Sequence, residues 1–350
     1  MTGAAGMSAA ELTIDLEVVT IDRRVVALGG GHGLAASLAA LRRLTRQVTA
    51  VVTVADDGGS SGRLRNELGI LPPGDLRKAF AALTSDSPDG ELAALVLQHR
   101  FTGGGALTGH PVGNLLIAGL IDVLGNPVAA LDTLGRWLKI PGRVLPVSPE
   151  PMEIVADVVG VDPAEPYRIS QVRGQVAVAT TTGSVVTVRP IPRQPLACAE
   201  AIAAIEAADY VILGPGSWFS SVLPHLVVPD ILTALTTTSA RRILVLNLAA
   251  QVGETSGFTP ETHLEVLAAH APALSIDVVL ADPATVADVR ALEGAARGLG
   301  GRLVLAEVGV PDGSPRHDPE LLAAAYSRVF QEDVRSGRRA EPVISSEGAD

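Results

Sequence analysis

The feature that most constrains the fold is a unit that recurs along the chain. A short apolar run, rich in β-branched residues, ends in a glycine-rich or acidic loop, and a helical pattern follows. Six apolar runs of this kind lie at residues 25–28, 50–54, 210–213, 243–248, 276–280 and 303–308. Short, continuous apolar strands that alternate with helices are typical of a parallel sheet covered on both faces. We predict an α/β fold with a mostly parallel sheet and helices on both of its faces.

The chain divides into one domain and two tails. Residues 1–23 mix small and acidic residues, and residues 331–350 are charged without apolar periodicity, so both segments are predicted to be flexible tails. Residues 24–330 are predicted to form a single domain. Within this domain, the stretch of about residues 141–192 is rich in Val, Thr and Ile, which predicts a β-rich insertion.

The charge balance argues against a nucleic-acid partner. The formal net charge is −11, Lys78 and Lys139 are the only lysines, and the arginines are scattered along the sequence. Binding to nucleic-acid phosphates needs clustered Lys or Arg side chains. No such partner is therefore expected.

Cysteine content and hydropathy indicate a cytoplasmic protein. The single cysteine, Cys198, allows neither an intrachain disulfide nor a zinc site built on cysteines. No uninterrupted apolar stretch reaches the roughly 18 residues of a membrane-spanning helix, and the N-terminal residues lack the basic region of a signal peptide. We expect no insertion into a membrane.

The first apolar run leads into a glycine loop that consists of Gly29, Gly30, Gly31, His32 and Gly33. Glycine lets a ligand approach the backbone closely, and the start of the next helix offers free N–H groups and the positive end of its dipole. The loop therefore predicts an anion site. It lacks the Lys-Ser/Thr of a Walker A loop. His32 either contacts the ligand or only caps the helix.

Two adjacent carboxylates, Asp56 and Asp57, follow the second apolar run. An acid at the end of a second strand commonly accepts a hydrogen bond from a ribose hydroxyl. Paired carboxylates also suit Mg²⁺ bound together with phosphate oxygens. Gly58 and Ser60 follow, and they add backbone freedom and a hydroxyl donor.

Two further loops open helices. Asp75 stands at a helix start, where capping explains it as well as ligand binding does. His110 and Asn114 are polar groups in an otherwise apolar run, so each needs a partner from the protein or from a ligand. Asp75 and Asn114 are counted as candidate binding residues.

A second glycine loop follows the apolar run at residues 210–213 and contains Gly214, Gly216 and Ser217. Two anion sites at helix starts in one sheet predict a diphosphate or a two-part ligand. Asn247 at a strand end and Glu254 complete the set of polar candidates. Glu254 is a base, a metal ligand or a structural carboxylate.

Several catalytic patterns are absent from the sequence. No Tyr is followed four residues later by Lys, and there is neither a G-x-S-x-G nucleophile elbow nor an H-E-x-x-H zinc helix. Without a Tyr–Lys pair, an NAD-dependent oxidoreductase is disfavoured, so any NAD that binds is not expected to react.

Six motifs, at residues 28–34, 53–63, 72–77, 109–114, 213–218 and 247–255, occur in a fixed order. In sequence and order they resemble the YvcK family, also called the gluconeogenesis factor group, within the CofD-like superfamily. The resemblance covers about residues 24–330, and the sequence looks most like the actinobacterial members.

The resemblance implies a single nucleotide-binding domain at residues 24–330 with a Rossmann-like core. It implies a regulatory protein that binds a UDP-sugar, UDP-N-acetylglucosamine in particular. It also implies a role in cell shape and peptidoglycan precursor control during growth on gluconeogenic carbon, with no established catalytic activity. Cell-wall enzymes, a Ser/Thr kinase and a second copy of the chain in a homodimer are the expected protein partners. The family's C-terminal Arg-His-Asp motif stands here at residues 316–318, which implies that Arg316 contacts the UDP-sugar.

The CofD branch implies an alternative function, the Mg²⁺-dependent transfer of a phosphate-linked group from a nucleotide diphosphate donor. In that case Asp56 and Asp57 are the catalytic candidates, and Mg²⁺ stabilises the departing phosphate. The glycine loop at residues 29–33 and the Gly-Gly-Ser-Ser at residues 58–61 resemble the YvcK branch. The sequence therefore favours a nucleotide-sugar regulator over a transferase.

Overall fold

A computed structural model of the chain describes residues 20–251 and 253–335. Within these residues the chain forms ten strands. They are β1 (Val25–Gly29), β2 (Val48–Val52), β3 (Gly142–Pro146), β4 (Glu153–Val159), β5 (Ile169–Arg173), β6 (Ser184–Ile191), β7 (Tyr210–Leu213), β8 (Arg241–Val245), β9 (Val278–Ala281) and β10 (Arg302–Leu305).

The helices of the described residues connect these strands. They are α1 (Gly31–Leu41), α2 (Gly59–Leu68), α3 (Pro73–Leu83), α4 (Pro88–Gln98), α5 (Val112–Leu124), α6 (Pro127–Leu138), α7 (Gln175–Ala179), α8 (Ala199–Ala207), α9 (Leu223–Leu226), α10 (Pro229–Thr237), α11 (Pro260–His270), α12 (Val289–Gly298) and α13 (Pro319–Arg335). A π-helical turn, Trp218–Val222, precedes α9, and a 3₁₀ turn, Pro283–Thr285, follows β9.

Seven strands form the central sheet, in the order β3-β2-β1-β7-β8-β9-β10, and all neighbouring pairs run parallel. The chain fills one half of the sheet from β1 outward to β3 and then fills the other half from β7 to β10. The strand order therefore reverses between β1 and β7. β1 is buried along its whole length, as expected for a central strand covered on both faces. The predicted α/β fold with helices on both faces of the sheet is confirmed.

Helix ends follow signals in the local sequence. α5 ends at Gly125, which adopts a left-handed conformation with φ +62° that glycine tolerates best. The side chain of Asn126 then accepts a hydrogen bond of 2.9 Å from the backbone N–H of Ala129, and Pro127 opens α6. The Gly-Asn-Pro sequence thus stops one helix and starts the next.

The middle insertion is a separate antiparallel sheet with the order β5-β4-β6. Its predicted start at about residue 141 was wrong, because β3 pairs in parallel with β2 and belongs to the central sheet. The insertion therefore begins after Pro146. Its short helix α7 packs against the π-helical turn, so the insertion contacts the edge of the sheet where the strands end.

The C-terminal helix α13 corrects the predicted start of the second tail. It runs to Arg335, so residues 331–335 are helical. The ring of Phe330 packs on Tyr210 with 4.1 Å between ring centroids, and Asp333 forms a buried ion pair of 2.9 Å with Arg241. These contacts tie the end of the helix to the sheet. The rest of that predicted tail and residues 1–19 of the first lie outside the described residues.

No single helix among residues 20–251 and 253–335 is long and apolar enough to cross a membrane. One pair of helical segments, Trp218–Leu226 and Pro229–Thr237, reaches that length and hydropathy only when taken together, and the two are bent by 75° at the break between them.

We predict that Asp333→Ala destabilises the fold strongly, because it leaves the buried guanidinium of Arg241 without this carboxylate. Removing one partner of a buried ion pair typically costs about 3–5 kcal/mol in the free energy of unfolding. Urea denaturation followed by circular dichroism measures the loss. Glu320→Ala is the control, because its ion pair with Arg43 is exposed and is worth less than about 1 kcal/mol. Equal losses in the two variants would contradict the prediction.

We predict that the buried His225 makes the free energy of unfolding depend on pH. It is fully buried, with Nε2 3.0 Å from the carbonyl oxygen of Val51, and burial lowers its pKa from 6.5 to about 4. Between these values the unfolded chain binds a proton that the folded chain does not, so the free energy of unfolding falls as the pH falls. His225→Asn should reduce that slope by about 1.4 kcal/mol per pH unit. Denaturation curves from pH 7 to pH 4 test this, and parallel slopes in the two proteins would refute it.

Candidate functional site

The candidate site lies at the carboxyl ends of β1 and β7, where the strand order reverses. In open α/β sheets, ligands bind in the crevice outside the strand ends at such a point. Both predicted glycine loops are there, because residues 29–33 follow β1 and residues 214–217 follow β7. The structure therefore brings together the two loops that the sequence placed far apart.

The two loops touch each other through backbone atoms. A Cβ atom at Gly33 would lie less than 3.0 Å from the carbonyl oxygen of Pro215, which only glycine avoids. Gly30 precedes α1 without any side-chain cap, so the first N–H groups of this helix keep their hydrogen-bonding capacity for a ligand. His32 is exposed in the first turn of α1, and its pKa is lowered by partial burial and by the charge of Lys78.

Asn247 holds the second glycine loop in place. Its Oδ1 accepts a hydrogen bond of 2.9 Å from the backbone N–H of Gly216, and its Nδ2 donates one of 2.8 Å to the carbonyl oxygen of the same residue. Gln251 donates a hydrogen bond of 3.0 Å to Oγ of Ser217. The amide of Asn247, a predicted ligand contact, is thus committed to positioning Gly216.

Glu254 is a buried carboxylate that anchors the π-helical turn. Its Oε2 accepts a hydrogen bond of 3.0 Å from the backbone N–H of Phe219, and its Oε1 accepts one from the hydroxyl of Ser220. The side chain is almost fully buried, and this burial raises its pKa. Of the roles predicted for Glu254, the structural one matches these contacts.

Asp56 and Asp75 come together beside the first glycine loop. An Oδ of Asp75 would lie 2.6 Å from a Cβ at Gly30, and its other carboxylate oxygen accepts a hydrogen bond of 3.0 Å from Lys78. Asp56 Oδ1 accepts a hydrogen bond of 3.0 Å from the N–H of Gly58. The pKa of Asp56 is raised, first by burial and then by the charge of Asp75.

Asp57 has a different role from its neighbour. Its Oδ1 accepts a hydrogen bond of 2.9 Å from the backbone N–H of Val176, in the first turn of α7. A carboxylate at the start of a helix stabilises it by satisfying a free N–H group. Asp57 thus links the insertion to the sheet, and Asp75 lies beside Asp56. That Asp56 and Asp57 bind one ligand together stays a prediction.

Asp56 and Asp75 could hold a magnesium ion only together with phosphate oxygens and waters. Among the described residues, no group of three or more His, Cys, Asp or Glu side chains is arranged to hold a metal. Mg²⁺ in phosphate-binding sites often uses one or two carboxylates, with phosphate oxygens and waters as its other ligands. Asp56 and Asp75 would supply such a pair.

A buried polar network adjoins the acids. Ser60 Oγ lies 2.8 Å from Nδ1 of His110 and accepts a hydrogen bond of 3.0 Å from Asn114. The Oδ1 of Asn114 accepts a hydrogen bond of 2.9 Å from Nε of Arg77. Ser60 and Asn114 were predicted as binding residues, whereas Arg77 was not. The sequence feature that could have identified Arg77 as a site residue is its position two residues after Asp75, at the start of the same helix.

Arg316 lies on a loop at the same edge of the sheet. The guanidinium is exposed, pairs with Asp312 at 2.6 Å and donates a hydrogen bond of 2.9 Å to Ser314. The neighbouring His317 holds the loop, because its Nε2 lies 3.2 Å from the carbonyl oxygen of Leu246, and burial lowers its pKa to about 4. Leu246 directly precedes Asn247, so the loop is fixed beside the second glycine loop, although no described contact joins Arg316 to it.

The family is settled by comparison with known proteins. The profile of the family described as 2-phospho-L-lactate transferase CofD matches residues 25–297. The chain belongs to the CofD family. A gluconeogenesis factor from Halalkalibacterium halodurans is 36% identical over 266 residues, which are 76% of this chain and 79% of that protein.

Other relatives agree with this assignment. A Mycobacterium tuberculosis protein, whose name also contains the words gluconeogenesis factor, is 56% identical over 326 residues, 92% of this chain and 94% of that protein. The crystal structure of a UPF0052 family member from Bacillus halodurans has a TM-score of 0.78 at 32% identity and covers 87% of this chain and 99% of its own. The predicted membership of the YvcK, or gluconeogenesis factor, group is confirmed.

We predict that Gly33→Ala separates the two glycine loops and destabilises the fold by about 1–3 kcal/mol, as overpacking does. The reason is the approach of the new methyl group to the carbonyl oxygen of Pro215. The control is Gly294→Ala in α12, where a Cβ meets no atom within 4 Å and the substitution should stabilise by up to about 1 kcal/mol. Thermal denaturation compares the two, and a Gly33→Ala protein as stable as wild type would contradict the prediction.

Proposed function

We propose that the chain is a regulatory protein that binds a nucleotide-sugar of the UDP-N-acetylglucosamine type in the crevice between β1 and β7. The observation that carries this proposal is the approach of the two glycine loops, with the uncapped start of α1 between them. Free N–H groups and the helix dipole favour a diphosphate at that position. Asp56 and Asp75 beside it would accept hydrogen bonds from sugar or ribose hydroxyls.

The proposed biological role follows the names of the relatives. Several carry the words gluconeogenesis factor, which supports a role during growth on gluconeogenic carbon. We propose that bound nucleotide-sugar reports the supply of peptidoglycan precursors in the cytoplasm and thereby affects cell shape. Such a sensor needs different affinities for the ligand in two conformations. Cell-wall enzymes, a Ser/Thr kinase and a second copy of the chain are its proposed partners, and NAD is not turned over.

Isothermal titration calorimetry with UDP-N-acetylglucosamine tests the ligand, with UDP-glucose, GDP and NAD as comparisons. We expect micromolar binding of the UDP-sugars, with the ligand unchanged afterwards by mass spectrometry. Arg316→Ala should weaken binding by about tenfold, because a hydrogen bond to a charged group is lost. Arg297→Ala, another exposed arginine at the end of α12, is the matched control and should bind normally. Absence of UDP-sugar binding would refute the proposal.

The pair of Asp56 and Asp75 supports a second candidate, a Mg²⁺-dependent transferase of a phosphate-linked group. The carboxylates would hold Mg²⁺ against the diphosphate of a nucleotide donor and stabilise the charge that develops on the departing phosphate. Mg²⁺-dependent release of UMP or GMP in the presence of an acceptor, abolished in Asp75→Asn, would support this function. If no UMP or GMP is released with any donor and acceptor, the transferase is contradicted and only the regulatory function remains.

A further inference from the structure

Arg77 is a buried cation whose hydrogen-bonding capacity is only partly used. The residue is 3% exposed, and its Nε donates to Asn114. Among residues 20–251 and 253–335, its two terminal nitrogens, Nη1 and Nη2, have no hydrogen-bond partner. Arginine is rarely buried unless it is paired, because removing its charge from water is costly. Neither nitrogen is among the fully buried atoms that lack a partner, so the end of the guanidinium reaches solvent and is open to an anionic partner.

A second arginine stands close to the first. Arg100 donates a hydrogen bond of 2.7 Å to the carbonyl oxygen of Gly109, which fixes it beside the same loop. The pKa of Arg77 is lowered to about 10, first by burial and then by the charge of Arg100, while Asp75 and Asp56 oppose this more weakly. Two guanidinium groups repel each other unless an anion lies between them.

His110 adds a neutral donor to the same place. Oγ of Ser60 accepts from Asn114 and lies 2.8 Å from Nδ1 of His110. When the Ser60 hydroxyl donates to Nδ1, the proton of the neutral imidazole is on Nε2, which has no hydrogen-bond partner among the described residues. His110 is 5% exposed, and burial and the charge of Arg63 lower its pKa, which keeps the ring neutral.

The backbone is shaped to admit this arrangement. A Cβ at Gly113 would lie 2.8 Å from Cγ of Arg77, so the stem of the arginine crosses the start of α5 only because that residue is glycine. Arg63 donates a hydrogen bond of 2.8 Å to the carbonyl oxygen of Thr108 and adds a third positive charge at the rim. Residues 102–108, which include Thr108, are exposed.

We propose that Arg77, Arg100 and His110 form a second anion site, which binds a phosphate group and is separate from the crevice between β1 and β7. Arginine forks suit the tetrahedral oxygens of phosphate, and the imidazole N–H supplies a further donor. The two sites use different hydrogen bonds: Ser60 and Asn114 belong to the Arg77 network, whereas Asp75 faces Gly30 and Lys78. The inference goes beyond the proposed function, because it does not require a nucleotide-sugar in the crevice.

Titration of the full chain with inorganic phosphate, followed by calorimetry and ³¹P NMR, tests the site. Arg77→Gln should weaken phosphate binding by about 10- to 100-fold, as expected for losing hydrogen bonds from a charged group. Arg100→Gln should weaken it by about three- to tenfold, since that side chain is partly solvated. Arg290→Gln, which removes an exposed arginine on α12, should bind phosphate as wild type does.

The outcomes are distinct from those of the nucleotide-sugar experiment. Phosphate that binds equally well in the presence of saturating UDP-N-acetylglucosamine supports a separate site, whether or not the UDP-sugar proposal holds. Displacement of phosphate by UDP-N-acetylglucosamine would place Arg77 in the nucleotide site and overturn the proposal. Absence of phosphate binding to wild type would also overturn the proposal. So would binding by the Arg77 and Arg100 variants that is as tight as binding by wild type.

Two controls complete the test. If Arg77→Gln fails to fold by circular dichroism, the exposed Arg100→Gln decides the outcome alone. A parallel titration with glucose 6-phosphate distinguishes a free phosphate ion from a phosphorylated metabolite. Tighter binding of the sugar phosphate, lost in the same variants, assigns the site to a metabolite, and binding of inorganic phosphate alone assigns it to the free ion.

Discussion

The close approach of two backbone loops at the centre of the sheet is the constraint on which the rest of the structure depends. β1 and β7 are neighbours although some 180 residues separate them in sequence, and their glycine loops meet where Gly33 faces Pro215. Any side chain at Gly33 would push the loops apart. The crevice therefore exists because the chain returns to the centre of the sheet and because glycine permits backbone contact there.

Much of the polar chemistry around the crevice positions loops. Asn247 holds Gly216 by two hydrogen bonds, Glu254 anchors the π-helical turn, and Asp57 caps α7 of the insertion. Buried polar groups are expensive unless they are paired, so a loop fixed by such bonds has one strongly preferred conformation. A ligand that binds here meets preorganised N–H groups and loses little free energy in ordering them.

The sequence predicted the parallel sheet and both glycine loops because apolar periodicity and glycine clusters are local signals. It did not predict that β3 belongs to the central sheet, since pairing with β2 is a contact between distant segments. For the same reason it joined Asp56 to Asp57, which are adjacent in sequence, whereas the fold brings Asp56 to Asp75. The end of α13 was not predicted because its residues are mostly charged. One of them, Asp333, is buried in an ion pair with the distant Arg241, which the local sequence does not indicate.

The distribution of charge explains how a chain with a net charge of −11 would bind the proposed anions. The net charge acts at long range and is screened by salt, whereas a bound phosphate responds to groups within a few ångströms. In the crevice, Lys78 is paired with Asp75, so an anion there relies on the helix N–H groups unless it draws the lysine away or arrives with Mg²⁺. Around Arg77 the charge that lowers its pKa most is that of Arg100, and Asp75 and Asp56 oppose it more weakly, so that position favours an anion without a metal. The two positions therefore differ in what they require of an anion, and this difference would allow one chain to respond to a nucleotide and to a phosphate independently.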